Sequence, residues 1–169
     1  GPNSQGVLTP GGCKLGVMAT VHDRPGSIGI VSRSATLTSE IVAQTSAAGL
    51  GQSTTVGIGG DPVHGIGFVE CLELFMADPD TDGIILIGEI GGTEEERAAE
   101  FLKTAKATPV VALIAGSHAP PERRMGHAGT LTLFGRADAN QKIKALRSAG
   151  AHIAPNTQLV TETMQLALD

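Results

Sequence analysis

A histidine held between small residues is the first candidate for chemistry in this sequence. Residues 123–129 read Arg-Arg-Met-Gly-His-Ala-Gly and carry no helix or strand pattern. Glycines let the backbone approach a ligand closely, so the imidazole of His127 can be reached from outside. Taken alone, the motif favours an incidental histidine on a surface loop. Two further polar turns elsewhere in the chain change that balance.

The first of these turns, residues 32–36, is rich in hydroxyl groups. It reads Ser-Arg-Ser-Ala-Thr and stands between a predicted strand and a predicted helix. The N–H groups at the start of a helix, together with serine and threonine hydroxyls, bind phosphate oxygens. Ser34, Ala35 and Thr36 are therefore candidate phosphate-binding residues. Ordinary capping of the helix by Ser34 or Thr36 is the alternative, and the two are compatible because an anion can displace a cap.

The second turn, residues 88–92, places a carboxylate directly after the most apolar strand. It reads Gly-Glu-Ile-Gly-Gly, and Glu89 is either a solvated turn residue or the partner of a cation. A glutamate that accepts from the Nδ1–H of His127 would fix the tautomer and leave Nε2 as a nucleophile. Such a site suits a transient phosphohistidine at His127, with Gly126 and Gly129 as its glycine cradle.

The elements that must bring these turns together alternate between strand and helix. Short apolar runs predict strands at residues 27–32, 53–58, 83–88, 109–115 and 151–154. Helical spacing predicts helices at residues 34–49, 68–77, 93–107, 137–149 and 157–168. Strands that are apolar throughout, each followed by a helix, indicate a parallel sheet that is covered on both faces.

We therefore expect an α/β fold, a flavodoxin-like doubly wound parallel sheet of five strands in the order 2-1-3-4-5. It would span residues 26–169, preceded by an extended linker or arm over residues 1–25 that contains one short strand pair around residues 14–19. In such sheets ligands bind beyond the carboxyl ends of the strands, where the strand order reverses. The turns at 32–36 and 88–92 follow the first and third strands, so they meet there, within reach of the long loop that carries His127.

The composition limits the kinds of partner that the chain can bind. The formal net charge is −5, which argues against non-specific binding to nucleic acid. No apolar run approaches the ~18 residues of a membrane span, so no membrane partner is expected. There is neither a metal-ligand spacing nor a P-loop motif, so we expect no metal site here and a nucleotide bound elsewhere. Cys13 and Cys71 are unpatterned and are expected to be packing residues.

Five segments of the chain together resemble the α subunit of succinyl-CoA synthetase. They are Gly-Pro-Asn at residues 1–3, Gly-Ile-Val-Ser-Arg-Ser at 29–34, the segment 51–62, Ile-Gly-Glu-Ile-Gly-Gly at 87–92 and Arg-Met-Gly-His-Ala-Gly at 124–129. The resemblance runs in order through essentially the whole chain. It corresponds to the C-terminal ligase domain of that subunit, and the N-terminal CoA-binding domain is missing from the match.

The resemblance implies an acid–CoA ligase that works through a phosphohistidine. His127 matches the phosphorylated histidine, Glu89 the glutamate beside it, and residues 34–36 the start of a helix that points at the phosphohistidine. ATP or GTP, held with Mg on a β subunit, would phosphorylate the histidine. The phosphoryl group would pass to a small carboxylic acid, and CoA would displace it to form the acyl-CoA.

The same resemblance implies where the other parts of the reaction lie. CoA would be bound mainly by the missing N-terminal domain, so the fragment alone is expected to be inactive. The β subunit is the expected protein partner, and the expected location is a bacterial cytoplasm or a mitochondrial matrix. Three residues are expected in the vicinity of CoA or the acid: Asn3, Ser4 and Gly60.

Three departures from the family pattern bear on the substrate. Ser4 and Gln5 stand where the family usually has Cys and Pro, Ala35 where it usually has Gly, and residues 133–138 replace a small glycine-rich loop. Relatives that activate malate or citrate, including ATP-citrate lyase, share the glycine-rich motifs around the glutamate and the histidine. The acid is therefore open among succinate, malate and citrate. A non-catalytic paralogue that binds a β-type partner is the alternative outside catalysis.

Overall fold

The computed structural model describes residues 1–105, 108–116, 127 and 139–169. The strands are β1 (Gly6–Thr9), β2 (Cys13–Gly16), β3 (Pro25–Ser32), β4 (Gln52–Gly57), β5 (Gly83–Glu89), β6 (Val110–Ala115) and β7 (His152–Ile153). The helices are α1 (Ala35–Ala47), α2 (Phe68–Ala77), α3 (Glu94–Leu102), α4 (Ala139–Ser148) and α5 (Val160–Leu168). Within these residues no helix combines the length and the apolarity that a membrane crossing requires.

One sheet of seven strands organises the described part of the chain, in the order β2-β1-β4-β3-β5-β6-β7. The strands from β4 to β7 in this order are parallel to their neighbours, whereas β1 pairs antiparallel with both β2 and β4. The prediction of an α/β fold built on a mostly parallel sheet is therefore confirmed. The expected count of five strands is wrong, because the hairpin of β1 and β2 extends the sheet beyond β4.

The two added strands come from residues 1–25, the segment predicted as an extended arm. Gly6 and Gly16 lie opposite each other in the hairpin, and both have positive φ, 98° and 111°. A Cβ on Gly6 would lie 1.8 Å from the carbonyl oxygen of Leu15, so only glycine permits this close approach of two backbones. The sequence predicts a short strand pair around residues 14–19, but strands of four residues that contain such glycines show no readable alternation, so the position of the hairpin and its place in the sheet are not predicted.

Two apolar layers cover the faces of the sheet. On one face α2, α3 and α4 pack through residues that include Leu72, Ala98 and Leu146. On the other face α1 and α5 pack through Ile41 and Met164. All seven residues of β5 are buried, and its isoleucine and leucine side chains alternate between the two layers. Two covered faces are the physical reason why the central strands are apolar throughout.

The carboxyl ends of β3 and β5 lie side by side at one edge of the sheet. Ser32 pairs with Ile87, and the N–H of Arg33 donates to the carbonyl of Ile87 at 3.1 Å. Because β3 also pairs with β4, its end is flanked on both sides by the ends of parallel strands. The turns that follow β3, β4 and β5 therefore converge where the sequence predicts the site.

Candidate active site

His127 and Glu89 lie in contact, as the orientation argument requires. Nδ1 of His127 is 2.6 Å from Oε2 of Glu89. The Glu89 side chain is 9% exposed and the His127 side chain 31% exposed, so the carboxylate is covered while the ring reaches solvent. The catalytic roles of the two residues stay predictions, but the distance that those roles need is present.

Arg33 is a member of the site to which the sequence analysis assigns no role. Its Nε donates to Oε1 of Glu89 at 2.9 Å, and its Nη2 donates to the carbonyl of Asp61 at 3.2 Å. The Arg33 side chain is 5% exposed, so the ion pair is buried. The available signal is its position, since Arg33 is the first residue after β3, as Glu89 is the last residue of β5.

The three side chains together determine which ring nitrogen of His127 carries the proton. Arginine stays charged in proteins, and its guanidinium donates to Oε1 of Glu89, so that oxygen is paired with a cation. An ionised carboxylate only accepts hydrogen bonds, so Nδ1 of His127 is the donor to Oε2. In the neutral ring the lone pair then lies on Nε2, which makes that atom the nucleophile.

Gly60 lies directly against the imidazole ring. A Cβ built on Gly60 would be 2.2 Å from both Cγ and Nδ1 of His127. The sequence analysis expects Gly60 near CoA or the acid, but in the structure its nearest side chain is this ring. The absence of a side chain at Gly60 therefore leaves room for the histidine, and an approach of substrate to this position stays a prediction.

The start of α1 faces the same ring across a small cavity of about 50 Å³. Ser34 and Ala35 line this cavity together with His127, whereas Thr36 is exposed and does not line it. Thr38, which the sequence analysis does not assign, lines it as well. The volume is far below the ~300 Å³ of a small-molecule pocket, so the cavity suits a group of a few atoms rather than a cofactor.

Ser34 is the N-cap of α1, as the capping alternative expects. Its Oγ accepts from the N–H of Leu37 at 3.3 Å, and its own N–H donates to Oγ of Ser32 at 3.0 Å. The first turn of α1 contains no acidic residue, so nothing on the helix itself repels an anion there. A long cap bond and an uncompensated helix start are compatible with an anion at this end.

The first residues of the chain line the same cavity. Asn3, Ser4 and Gln5 all contribute to its wall. The hydroxyl of Ser4 donates to the carbonyl of Gly57 and accepts from the N–H of Gly6, so it is held by backbone groups. Oε1 of Gln5 is buried and has no hydrogen-bond partner within the described residues. Residues that depart from the family pattern therefore lie beside the candidate nucleophile.

Other predicted positions cannot be placed or lie elsewhere. Gly126, Gly129 and residues 133–138 lie outside the described residues. Among the residues that are described, no group of three or more His, Cys, Asp or Glu side chains could hold a metal ion. Cys71 is buried in the core as expected, and burial, with a smaller contribution from the Glu70 charge, raises its pKa to about 12. Cys13 is exposed on β2, so the expectation that it packs is wrong.

The sheet, the cavity at its switch point and the Arg33–Glu89–His127 contact agree with one family. The sequence profile of the CoA-ligase family matches residues 31–152, and the chain belongs to that family. It is 52% identical over 164 residues to the α subunit of the ADP-forming succinate–CoA ligase of Aquifex aeolicus. It is 51% identical over 168 residues to the subunit of the same name from Methanothermobacter thermautotrophicus. The resemblance to this α subunit is thereby confirmed.

These matches cover nearly all of this chain but only about half of each relative. They cover 97% and 99% of this chain, which spans 54% and 57% of the length of the two relatives. Among solved structures, ATP citrate lyase from Methanothrix soehngenii in complex with citrate and coenzyme A superposes with a TM-score of 0.91. That match has 28% identity and covers all of this chain and 29% of the lyase. The whole fold described above thus recurs as one part of longer proteins.

Proposed function

We propose that this chain is the ligase domain of the α-type subunit of an acid–CoA ligase, and that His127 carries the phosphoryl group between the steps of the reaction. One observation carries the proposal. A buried carboxylate, Glu89, is paired with Arg33 and orients a partly exposed imidazole beside the start of α1. Membership of the CoA-ligase family and the names of the relatives agree with it.

In the first step, Nε2 of His127 attacks the γ-phosphorus of ATP or GTP. The N–P bond forms as the bond from phosphorus to the bridging oxygen breaks, and the nucleoside diphosphate leaves. Positive charge develops on the ring as the bond forms, and the Glu89 carboxylate at Nδ1 offsets it. Arg33 holds that carboxylate in place through the bond from its Nε to Oε1.

The phosphoryl group then lies at the start of α1. The N–H groups of the first turn, near Ser34 and Ala35, offset its negative charge. The cavity is small enough to surround a phosphoryl group and to limit the access of water to it. The Ser34 cap bond, at 3.3 Å, is weak enough to be exchanged for a bond to a phosphate oxygen.

In the later steps, an oxygen of the acid substrate attacks the phosphorus and the N–P bond of His127 breaks, which gives an acyl phosphate. The CoA sulfur attacks the acyl carbon, the C–S bond forms, and inorganic phosphate leaves as its C–O bond breaks. We assign most of the CoA site to an N-terminal domain, because the relatives are about twice as long as this chain, and the nucleotide site, with Mg, to a β-type subunit, because the relatives are named as α subunits. The chain alone is therefore expected to be inactive.

Succinate is the first candidate for the acid, since the relatives are named for it. Citrate is the second, since the similar lyase structure contains citrate. Ser4 and Gln5, which depart from the family pattern, line the cavity beside His127 and are the residues through which the choice would be made. Assays of the intact subunit pair with succinate, malate and citrate would identify the acid. A bacterial cytoplasm or a mitochondrial matrix stays the proposed location.

The decisive experiment is phosphorylation of the intact subunit pair with γ-labelled ATP or GTP. We expect acid-labile label on the parent chain and none on His127→Asn. His152→Asn is the matched control, because His152 is exposed on β7 and does not line the cavity. Equal label on parent and His127→Asn would end the proposal. Partner binding without any label or acyl-CoA in the parent would instead favour a non-catalytic paralogue.

A further inference from the structure

A second ion pair lies behind the candidate site, and the reaction described above does not use it. Lys142 of α4 and Glu95 of α3 form a salt bridge, and both side chains are fully buried, with 0% exposure. Neither residue lines the cavity at His127. A charged pair in such a place is costly to desolvate, and an apolar pair of similar volume would often stabilise a fold as well. The hydrogen bonds of the pair indicate what else it does.

Both side chains bind the backbone of the turn that carries Glu89. Oε1 of Glu95 accepts from the N–H of Glu89 at 3.0 Å, while Oε2 of Glu95 pairs with Lys142. Nζ of Lys142 also donates to the carbonyl of Gly91. The pair therefore holds the turn from two sides, at one donor before Ile90 and at one acceptor after it.

The packing at Gly88 shows that the backbone is shaped around this contact. A Cβ on Gly88 would lie 2.6 Å from Cγ of Glu95 and 2.7 Å from its Oε1. The Glu95 carboxylate can approach the end of β5 only because Gly88 has no side chain. The direction of the Glu89 side chain, which points to Arg33 and His127, follows from how this backbone is held.

We propose that Glu95 and Lys142 are positioning residues that hold the turn so that the Glu89 carboxylate meets Nδ1 of His127. Without Lys142, the Glu95 carboxylate is left buried without its cation. Without the Glu95 acceptor, the N–H of Glu89 is left without a partner, and the turn moves to regain one. A change in the Glu89 direction weakens the bond from Nδ1–H to Glu89 and so shifts the tautomer balance of His127.

The positioning itself is tested on the chain alone, by the ¹⁵N chemical shifts of the His127 ring at a pH where ordinary imidazoles are neutral. E95Q/K142M and E95L/K142M are both uncharged and similar in volume to the parent pair. They differ in one respect, since glutamine keeps an acceptor for the Glu89 N–H and leucine does not. We expect the parent to be mainly the Nδ1–H tautomer, E95Q/K142M to retain most of it, and E95L/K142M to lose it.

Matched controls separate this effect from a general loss of structure. K103M and E100Q remove an exposed ion pair on the far side of α3, and both are expected to keep the parent tautomer. A folded E95L/K142M with the parent tautomer would overturn the proposal. Failure of both doubles to fold would assign the pair to stability alone and would overturn it equally.

The consequence for phosphoryl transfer rests on the proposed function and is measured in the complex with the β-type partner. We expect E95L/K142M to lower the rate of His127 phosphorylation by roughly tenfold to 100-fold, with the KM for the nucleotide unchanged. Label absent from the parent, together with the expected tautomer change, would reject the proposed function and leave the positioning role. Normal label in the parent with an unchanged tautomer would reject the positioning role alone.

Discussion

The two buried ion pairs on either side of the turn at Glu89 differ in how far each is sealed from solvent. Arg33 lines a cavity and pairs with Glu89, and their third partner, His127, lines the same cavity and is 31% exposed. Lys142 and Glu95 are completely buried, and their remaining hydrogen bonds go to backbone groups of the turn. Lys142 also lies 3.8 Å from Oε2 of Glu96, whose side chain is 32% exposed. The first pair can therefore respond to a substrate, because one of its partners can be reached. In the second pair the only partly exposed partner, Glu96, is a distant one, and the short bonds go to Glu95 and to the turn, so we expect this pair mainly to hold its surroundings.

The largest expected effect comes from breaking the fully buried ion pair of Lys142 and Glu95. Lys142→Met leaves the Glu95 carboxylate buried without its cation, so the free energy of unfolding should fall by about 3–5 kcal/mol. Urea denaturation monitored by circular dichroism measures this difference. Lys103→Met, which breaks an exposed pair, should change stability by no more than about 0.5 kcal/mol. If the two substitutions cost the same, burial of the pair has no energetic consequence.

The next largest effect is expected from displacing the His127 ring while the residues of both ion pairs are left unchanged. Gly60→Ala places a methyl group within the ring of His127, while the backbone of Gly60 lies outside the positive-φ region that favours glycine. The ring must move, so phosphorylation in the intact complex should fall by roughly 100-fold for a shift of about 1 Å.

A control for this substitution is available in the same loop. A Cβ on Gly65 would meet only the carbonyl oxygen of Gly1, at 3.7 Å, so Gly65→Ala should leave the label unchanged. Unchanged label in Gly60→Ala would show that the ring tolerates displacement. The site would then depend less on the geometry at Nδ1 than the comparison of the two pairs implies.

A smaller effect is expected when the open pair is broken. Arg33→Met leaves Glu89 with His127 as a partner, and the substituted side chain borders a cavity, so the loss of stability should be about 1–3 kcal/mol. Denaturant unfolding under the conditions used for Lys142→Met gives the comparison directly. A loss of stability as large as that of Lys142→Met would mean that the Arg33–Glu89 pair is shielded from solvent as fully as the Lys142–Glu95 pair.

The smallest effect concerns the two cysteine thiols, of which one is exposed and the other buried. Maleimide should label the exposed Cys13 at neutral pH and leave Cys71 unlabelled in the native chain. Burial raises the pKa of Cys71 from 9.0 to about 12, so over that range the unfolded chain loses this proton before the folded chain does. The contribution of Cys71 to stability is therefore present below pH 9.0 and is lost as the pH rises towards about 12. Labelling of Cys71 before Cys13 would contradict the burial.

Much of the central fold could be predicted because its signals are local. Apolar runs mark the parallel strands, and the turns that follow β3 and β5 stand out by their polar residues. A short strand pair near residues 14–19 is predicted, but the pairing of β1 with β2 is not, because it depends on two glycines that meet only across the strands. Strand alternation cannot be read from segments of four residues.

The candidate site divides in the same way. The types of His127, Glu89 and Ser34, and the turns that carry them, are readable from the sequence. Arg33 is visible there, but its partner Glu89 is 56 residues away, and nothing local to Arg33 reveals the pairing. The choice of Ala35 over Thr36 as a lining residue also depends on how α1 is turned against its neighbours.

The sequence by itself determined the chemical groups, the order of strands and helices from β3 onwards, and the motifs through which the family can be recognised. These are properties of neighbouring residues, and hydrophobic periodicity and turn chemistry express them directly. Only the tertiary structure decided that Gly60 makes room for the imidazole and that Lys142, 47 residues from Glu95, holds the turn behind it. The physical reason is that burial and hydrogen-bond partners depend on which residues the sheet brings together. The sequence does not state how far apart two distant residues lie in space.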